Sequence, residues 1–392
     1  MTARCAPARA HRPGRSDCPG ESMRVARSVS SLVLAAGALL AGCAIDQPPP
    51  ARPQPRPDDV RAQIVTMLPA SVPDRRGWAV DIYAAFAALR IDPDAANLCA
   101  VVAVNEQESG FRVDPSVPRL GKIVREELDR RADQAGVPKL LVLGALQMRS
   151  RDGRSYGDRI DGAKTEKELN DLFIDFIGSV PMGRRLFAGY NPVRTGGPMQ
   201  VSIDFAERHV KSRSYPYPLD GSIRDEVFTR RGGLYFGIAH LLDYPAGYEQ
   251  PLYRFADFNA GHHASRNAAF QNAVASASGI PLVPDGDLLR HGADADKPGS
   301  TEAAVRSLAT RLDMGEGAIR RALERGEEAD FDRTPLYQRV FRLAEQIERR
   351  PLPRAAMPEI RLQSPKITRP LTTEWFARRV DERYKRCLAR AG

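Results

Sequence analysis

The chain has 392 residues, 42% of them hydrophobic and 27% charged, which excludes a disordered chain and suffices for one large domain or two smaller ones. The formal charge is +9, and residues 1–42 hold +4 of it as six Arg against Asp17 and Glu21, so +5 remains beyond them. A charge that mild, scattered among acids, gives no nucleic-acid signature and suits an anionic wall polymer or a lipid surface.

Residues 1–22 do not read as the start of an export signal, so Met23 is a candidate true start. Met23-Arg24-Val25-Ala26-Arg27 is a short basic region, and the apolar run from Leu32 to Ala41 follows it. The run is too short to span a bilayer and fits the core of a signal peptide. It ends in Leu40-Ala41-Gly42-Cys43, which resembles the bacterial lipobox, where cleavage precedes a cysteine that becomes lipidated. Residues 1–42 are therefore expected to be leader and signal peptide, with Cys43 the lipidation site. Ala44, rather than Asp, follows Cys43. By resemblance to enterobacterial lipoproteins, this implies sorting to the outer membrane. Residues 43–58 include the run QPPPARPQPRPD, a stiff tether with no means of packing.

The folded part is expected from Asp59. A short helix should run to about Leu68, and a second from Trp78 to Arg90 has Ile82, Phe86 and Leu89 at helical spacing for a core. Asp94 to Phe111 reads DAANLCAVVAVNEQESGF. Pro93 suits an early helical position, and Asp92 or Asp94 can cap the helix. Val101, Val104 and Glu108 share one stripe, and the helix should stop at Ser109-Gly110. A carboxylate on the last turn faces the negative end of the helix dipole, and burial would raise its pKa further, as a general acid near neutral pH requires. Glu106, two residues away, points elsewhere and reads as an exposed charge.

Residues 112–195 suggest three or four helices, including Leu120 to Ala135, Leu140 to Met148, and Thr165 to Val180. Thr195-Gly196-Gly197-Pro198-Met199-Gln200-Val201 is a glycine turn entering a helix from Ser202 to Lys211. Glycines there would let backbone approach a ligand. A short apolar helix, Leu234 to Leu242, and a helix end at Arg254 to Gly261 (RFADFNAG) follow. Beyond about 276 the pattern changes to loops and the amphipathic helices Glu302–Leu312, Glu316–Arg325 and Tyr337–Arg349. A proline-interrupted stretch and a basic amphipathic helix, Glu374 to Ala391, close the chain. Cys99 and Cys387 remain after the leader, and they read equally as a disulfide or as two buried thiols.

Four pieces now stand in order: EQESGF around Glu108, GGPMQV around Gln200, GLYFGIAHLL around Gly237, and FADFNAG around Asn259. The order resembles the lysozyme-like catalytic domain of soluble lytic transglycosylases. There a helix ends in a catalytic Glu and Ser, and a glycine turn ending in Met-Gln, an Asn-Ile-x-x-Gly-x-Ala-Tyr-Leu segment and Tyr-Asn-Ala-Gly follow. The match covers roughly 90–275. The chain also resembles proteobacterial outer-membrane lipoproteins of the YaiW type, which share the lipobox and this motif set. The resemblance implies a mainly α fold: a lysozyme-like, helix-dominated α+β core over 59–275, an insertion at 112–195, and a helical extension over 276–392 packed on the core.

It also implies roles. Glu108 would be the single catalytic acid/base, oriented by Ser109. Met199, Gln200, Phe258 and Asn259 would line the sugar site. The substrate would be peptidoglycan glycan strands, cleaved between N-acetylmuramic acid and N-acetylglucosamine, with the outer membrane engaged through the Cys43 lipid and the domain facing the periplasm. Three positions depart from the family: Gly233 replaces Asn, His240 replaces Tyr, and Phe258 replaces the Tyr of Tyr-Asn-Ala-Gly. These departures, with the long insertion, motivate the alternative of a lysozyme-like domain that binds glycan or an envelope protein without cleaving it. No cofactor, metal or nucleic acid is implied. His262-His263 lacks HExxH spacing or a flanking acid, no phosphate loop or nucleophile elbow occurs, and Arg378, Arg379, Arg383, Lys385 and Arg386 read as a solvated helix face.

Overall fold

The structure, a computed structural model, describes residues 56–183, 185, 188–290, 297–362 and 370–391. The expected signal peptide, Cys43 and nearly all of the expected tether lie outside the described residues.

Helix α3 (Ala95–Glu108) is the centre of the fold. Asp94 caps it, its carboxylate accepting from the Asn97 amide at 2.7 Å. Leu98 through Asn105 are all buried, because AVVAV is apolar on every face and other helices must surround it. Helix α1 (Pro57–Met67) and helix α2 (Arg75–Leu89) pack nearby, Trp78 of α2 meeting Phe111 edge-on at 5.2 Å just past the end of α3. The chain turns at Gly110 and Phe111, both left-handed (φ 59° and 62°). Phe111 is an unusual residue there, and its burial against Trp78 offsets the backbone cost.

The segment after α3 builds four helices: α4 (Leu120–Gln134), α5 (Lys139–Gln147), α6 (Tyr156–Gly162) and α7 (Glu166–Ser179). Thr165 and Glu168 form a capping box at the start of α7. A two-residue ladder, β1 (Thr195–Gly196) with β2 (Val201–Ser202), closes the glycine turn. Helices α8 (Ile203–Ser212), α9 (Ile223–Val227), α10 (Arg230–Leu242) and α11 (Pro251–Ala260) complete this half. Arg230 ties α10 to α2 by pairing with Asp74 and Asp81, at 2.7 and 2.5 Å.

A second apolar cluster forms around α12 (Ala264–Ser278), α13 (Ser300–Ser307), α14 (Ala309–Leu312), α15 (Glu316–Leu323) and α16 (Pro335–Glu348). Phe270, Phe331, Tyr337 and Phe341 pack ring against ring within it. Buried Arg266, Asn267 and Gln271 on α12 bond loop carbonyls at Gly286, Asp287, Gly326 and Glu328, so these three side chains find backbone partners.

Strands β3 (Arg361–Leu362) and β4 (Leu371–Thr372) pair just before α17 (Thr373–Ala391). Helix α17 returns to lie along α3, where Cys387 is bonded to Cys99 across 288 residues of sequence. The last helix is thus part of the first core, and only the segment before it forms the second cluster. The fold is mainly helical, and the β structure among the described residues is two short ladders and isolated bridges. No described helix is long and apolar enough to cross a membrane.

Candidate functional site

Glu108 ends α3 with its side chain half-buried. Among the described residues it has neither a hydrogen bond nor an ion pair. Its carboxyl is pushed up from 4.5 to about 8, first by burial and then by the like charge of Glu166. The C-terminal end of the α3 dipole acts in the same direction.

Glu166 comes from the segment 112–195. It is the first residue of α7 and is 7% exposed. Two contacts bring it to α3: an antiparallel bridge between Ser116 and Thr165, and a hydrogen bond from the Val117 amide to the Lys164 carbonyl at 2.8 Å. Asp114 lies in the same stretch, its carboxyl also raised, chiefly by burial. The segment 112–195 therefore supplies a second carboxylate beside Glu108. Sequence reading found the start of α7 but missed this role. The Thr165/Glu168 box marks a helix start locally, whereas the approach to Glu108 depends on pairing across some fifty residues.

The other expected site residues are arranged differently. The Ser109 hydroxyl donates to the carbonyl and side-chain oxygens of Asn105, both at 3.2 Å, and so closes the helix without touching Glu108. Glu106 is no free surface charge: it pairs with Arg386 at 3.2 Å and Arg383 at 3.7 Å. The expectation of a wholly solvated basic face on α17 is corrected accordingly, since Arg383 is largely covered.

Met199 is 0% exposed and packs under Gly237 of α10, so it is a core residue and no wall of an open groove. A Cβ at Gly237 would collide with Met199, and one at Gly233 would collide with the Pro198 ring. The glycines thus let the turn approach a helix. Gly233, a departure from the transglycosylase pattern, is required by this packing. Gln200 is left-handed (φ 50°), and its amide donates to its own turn at the Gly197 carbonyl, 3.1 Å away.

Phe258 stacks on Phe376 of α17 at 6.4 Å and tilts against His240 at 5.1 Å. Asn259 is exposed, and its side-chain oxygen accepts from the Thr373 hydroxyl at 3.2 Å. His240 Nε2 lies 3.1 Å from the Phe258 carbonyl, and Nδ1 has no partner among the described residues. Burial, then His262, holds the imidazole down to about 3. His240, His262 and Tyr244 form a ring stack at 4.6 and 4.0 Å. Asp257 lies beneath, accepting from Tyr244, Tyr248 and the His263 and Ser265 amides. That carboxylate was not anticipated as a partner of the His262-His263 segment. Among the described residues, no group of three or more His, Cys, Asp or Glu side chains is placed to hold a metal ion.

The structure thus joins Glu108 to Glu166, and Phe258 and Asn259 to α17. No hydrogen bond among the described residues connects Glu108 with Gln200 or Asn259. No solved structure matches the chain. In sequence, it is 52% identical over 360 residues to Uncharacterized protein YaiW of Escherichia coli (strain K12), covering 92% of this chain and 98% of that protein. Residues 71–390 match the family model described as Protein of unknown function (DUF1615), and the chain belongs to that family.

Proposed function

We propose that this protein is an envelope lipoprotein, anchored at the outer membrane through Cys43, that cleaves peptidoglycan glycan strands in the manner of a lytic transglycosylase. The observation that carries the reading is Glu108: a carboxyl with no hydrogen-bond or ion-pair partner among the described residues and a pKa of about 8, hence protonated at neutral pH. Glu108 donates its proton to the oxygen between N-acetylmuramic acid and N-acetylglucosamine as the bond from the muramoyl anomeric carbon to that oxygen breaks. The resulting carboxylate takes the proton of the muramoyl 6-hydroxyl, whose oxygen bonds to the anomeric carbon. The proton returns to Glu108, no water is consumed, and the product carries an internal anhydro ring. Proximity of the 6-hydroxyl replaces the water that a second carboxylate would activate in an inverting hydrolase. Glu166 in this scheme keeps Glu108 protonated, and its charge favours the cationic character that develops on the sugar ring.

A second reading, a domain that binds glycan or an envelope protein without cleaving it, is favoured by the buried Met199, the inward-turned Gln200 and the missing hydroxyl at Phe258. Digestion of purified sacculi with the full chain separates the two. Anhydromuropeptides detected by mass spectrometry, and lost in Glu108→Gln, are the expected result. Their absence from a folded wild-type preparation refutes cleavage, and equal yield from Glu108→Gln refutes the assignment of the acid. Palmitate labelling that persists in Cys43→Ser would refute the anchor.

A further inference from the structure

The insertion contains an apolar cavity of about 310 Å³ between α4, α5, α6 and α7. Val124, Leu128, Leu146, Leu169, Leu172 and Phe176 are among its walls. Tyr156 also lines it, but its hydroxyl is used on Asp175 and Ser179, at 3.3 and 3.4 Å. The wall thus offers hydrocarbon and no free hydrogen-bonding group to an occupant. The volume falls at the lower end of the range of roughly 300–1,000 Å³ typical of ligand sites, which suits one flexible chain better than a folded peptide element.

Helix α5 forms one side and has no buried residue at all. Leu141 lines the cavity yet is 64% exposed, so the cavity opens to solvent beside it. Leu140 and Leu143 extend the apolar surface outward at 79% and 56% exposure. A short apolar helix this exposed is costly in water and is stabilised when hydrocarbon covers it. Its flanks are basic. Lys139 opens the helix and has no ion-pair partner among the described residues, while Arg149 and Arg151 follow its end and are both exposed. The Arg149 guanidinium bonds the Gly153 carbonyl, and Arg151 pairs with Asp175 at 3.4 Å while staying 82% exposed.

Apolar depth, an exposed leucine mouth and cationic flanks fit one class of ligand. We infer that the segment 112–195 holds a binding site for a single acyl chain of an anionic lipid, with the chain in the cavity and the headgroup at Lys139, beside the Leu141 mouth. A bilayer surface would use the exposed leucines and the basic flanks but would leave the cavity without a function. The inference does not depend on glycan cleavage. The two sites share α7, since Leu169 of the cavity wall lies one turn beyond Glu166.

The test is titration of the full chain with cis-parinaric acid, a fluorescent fatty acid, and displacement by lysophosphatidylglycerol or by lysophosphatidylcholine. One saturable site per chain is expected, with the anionic competitor displacing the probe at least fivefold more effectively. Ala145→Trp, which fills the cavity from α5, should weaken probe binding tenfold or more, and Lys139→Glu should remove the preference for the anionic competitor. Circular dichroism and free-thiol counts keep the variants interpretable, and Leu172→Met, which preserves the apolar wall, should retain binding. No saturable binding by wild type, or undiminished binding by a folded Ala145→Trp, overturns the inference. So does association with phosphatidylglycerol vesicles that Ala145→Trp leaves intact and that occurs without probe binding, because the surface then meets a membrane and the cavity holds nothing.

Discussion

Replacing Glu108 by Gln should make the protein more stable in alkaline solution, whatever reaction it performs. In the folded chain the carboxyl titrates at about 8 against 4.5 for a solvated one. The folded state therefore holds a proton that the unfolded chain has released between those values. Stability falls as pH rises through that window, because the unfolded chain binds fewer protons. Each pH unit of the gap is worth about 1.4 kcal/mol, so the ionised carboxylate destabilises the fold by about 5 kcal/mol at the ceiling. Water reaching the partly covered carboxylate reduces this, so about 3–5 kcal/mol is expected at pH 9. Gln keeps the shape and has no charge to desolvate. Denaturation by urea from pH 4 to 9 should give Glu108→Gln and wild type similar midpoints at pH 4, with the variant's advantage opening above about pH 4.5 and levelling off above about pH 8. Parallel curves across the range would refute the claim that Glu108 is held protonated by its surroundings.

Glu166→Gln should lower the pKa of Glu108 by roughly one pH unit, since like charge is the lesser cause after burial, and carbon-13 NMR of the Glu108 carboxyl would report it. An unchanged titration would show that the two carboxylates are not neighbours. Opening the disulfide with Cys99→Ala and Cys387→Ala should cost about 2–5 kcal/mol, seen as a lower melting temperature, because it frees a link across 288 residues. Equal melting would mean that α17 is held by packing alone. Gly237→Ala should destabilise by about 1–3 kcal/mol through its collision with Met199, and Met199→Ala in the same chain should recover part of that loss.

The central helix could be read from sequence because its signals are local: a capping Asp94, an apolar run, and a stop at Ser109-Gly110. The amphipathic helices beyond residue 300 were legible for the same reason. The helix over residues 264–278 was not, because its buried face carries Arg266, Asn267 and Gln271, which only the loop carbonyls of distant segments make acceptable. The glycines of the GGPMQ turn do not by themselves indicate a ligand, because small residues serve close approach of any kind: Gly196 lies against Phe228 and Gly197 against the Val227 carbonyl. The bond between Cys99 and Cys387 stood even with two free thiols, since nothing near either cysteine indicates that α17 returns to α3. The placement of Glu166 depends on the Ser116–Thr165 bridge, another contact between segments far apart in sequence.

What separates Glu108 from a structural acid is the treatment this chain gives its other covered carboxylates. Asp257, fully buried, accepts from two tyrosine hydroxyls and two backbone amides. Glu226 accepts from the Tyr215 hydroxyl at 2.6 Å and from Arg231 at 3.1 Å. Glu302, also fully buried, is held by Arg306 at 2.6 Å and Arg320 at 2.9 Å. Each follows the rule that a buried acid is paired or hydrogen-bonded, because an unpaired one costs several kcal/mol. Glu108 breaks the rule, and does so beside another acid. Packing gives no reason for this, since a Gln or Leu at the end of α3 would relieve the strain between the two carboxyls. An acid with no partner among the described residues and a pKa of about 8 is what the proposed proton exchange with a ligand requires. Such a carboxyl needs no lysozyme-like fold around it and serves any ligand that takes a proton.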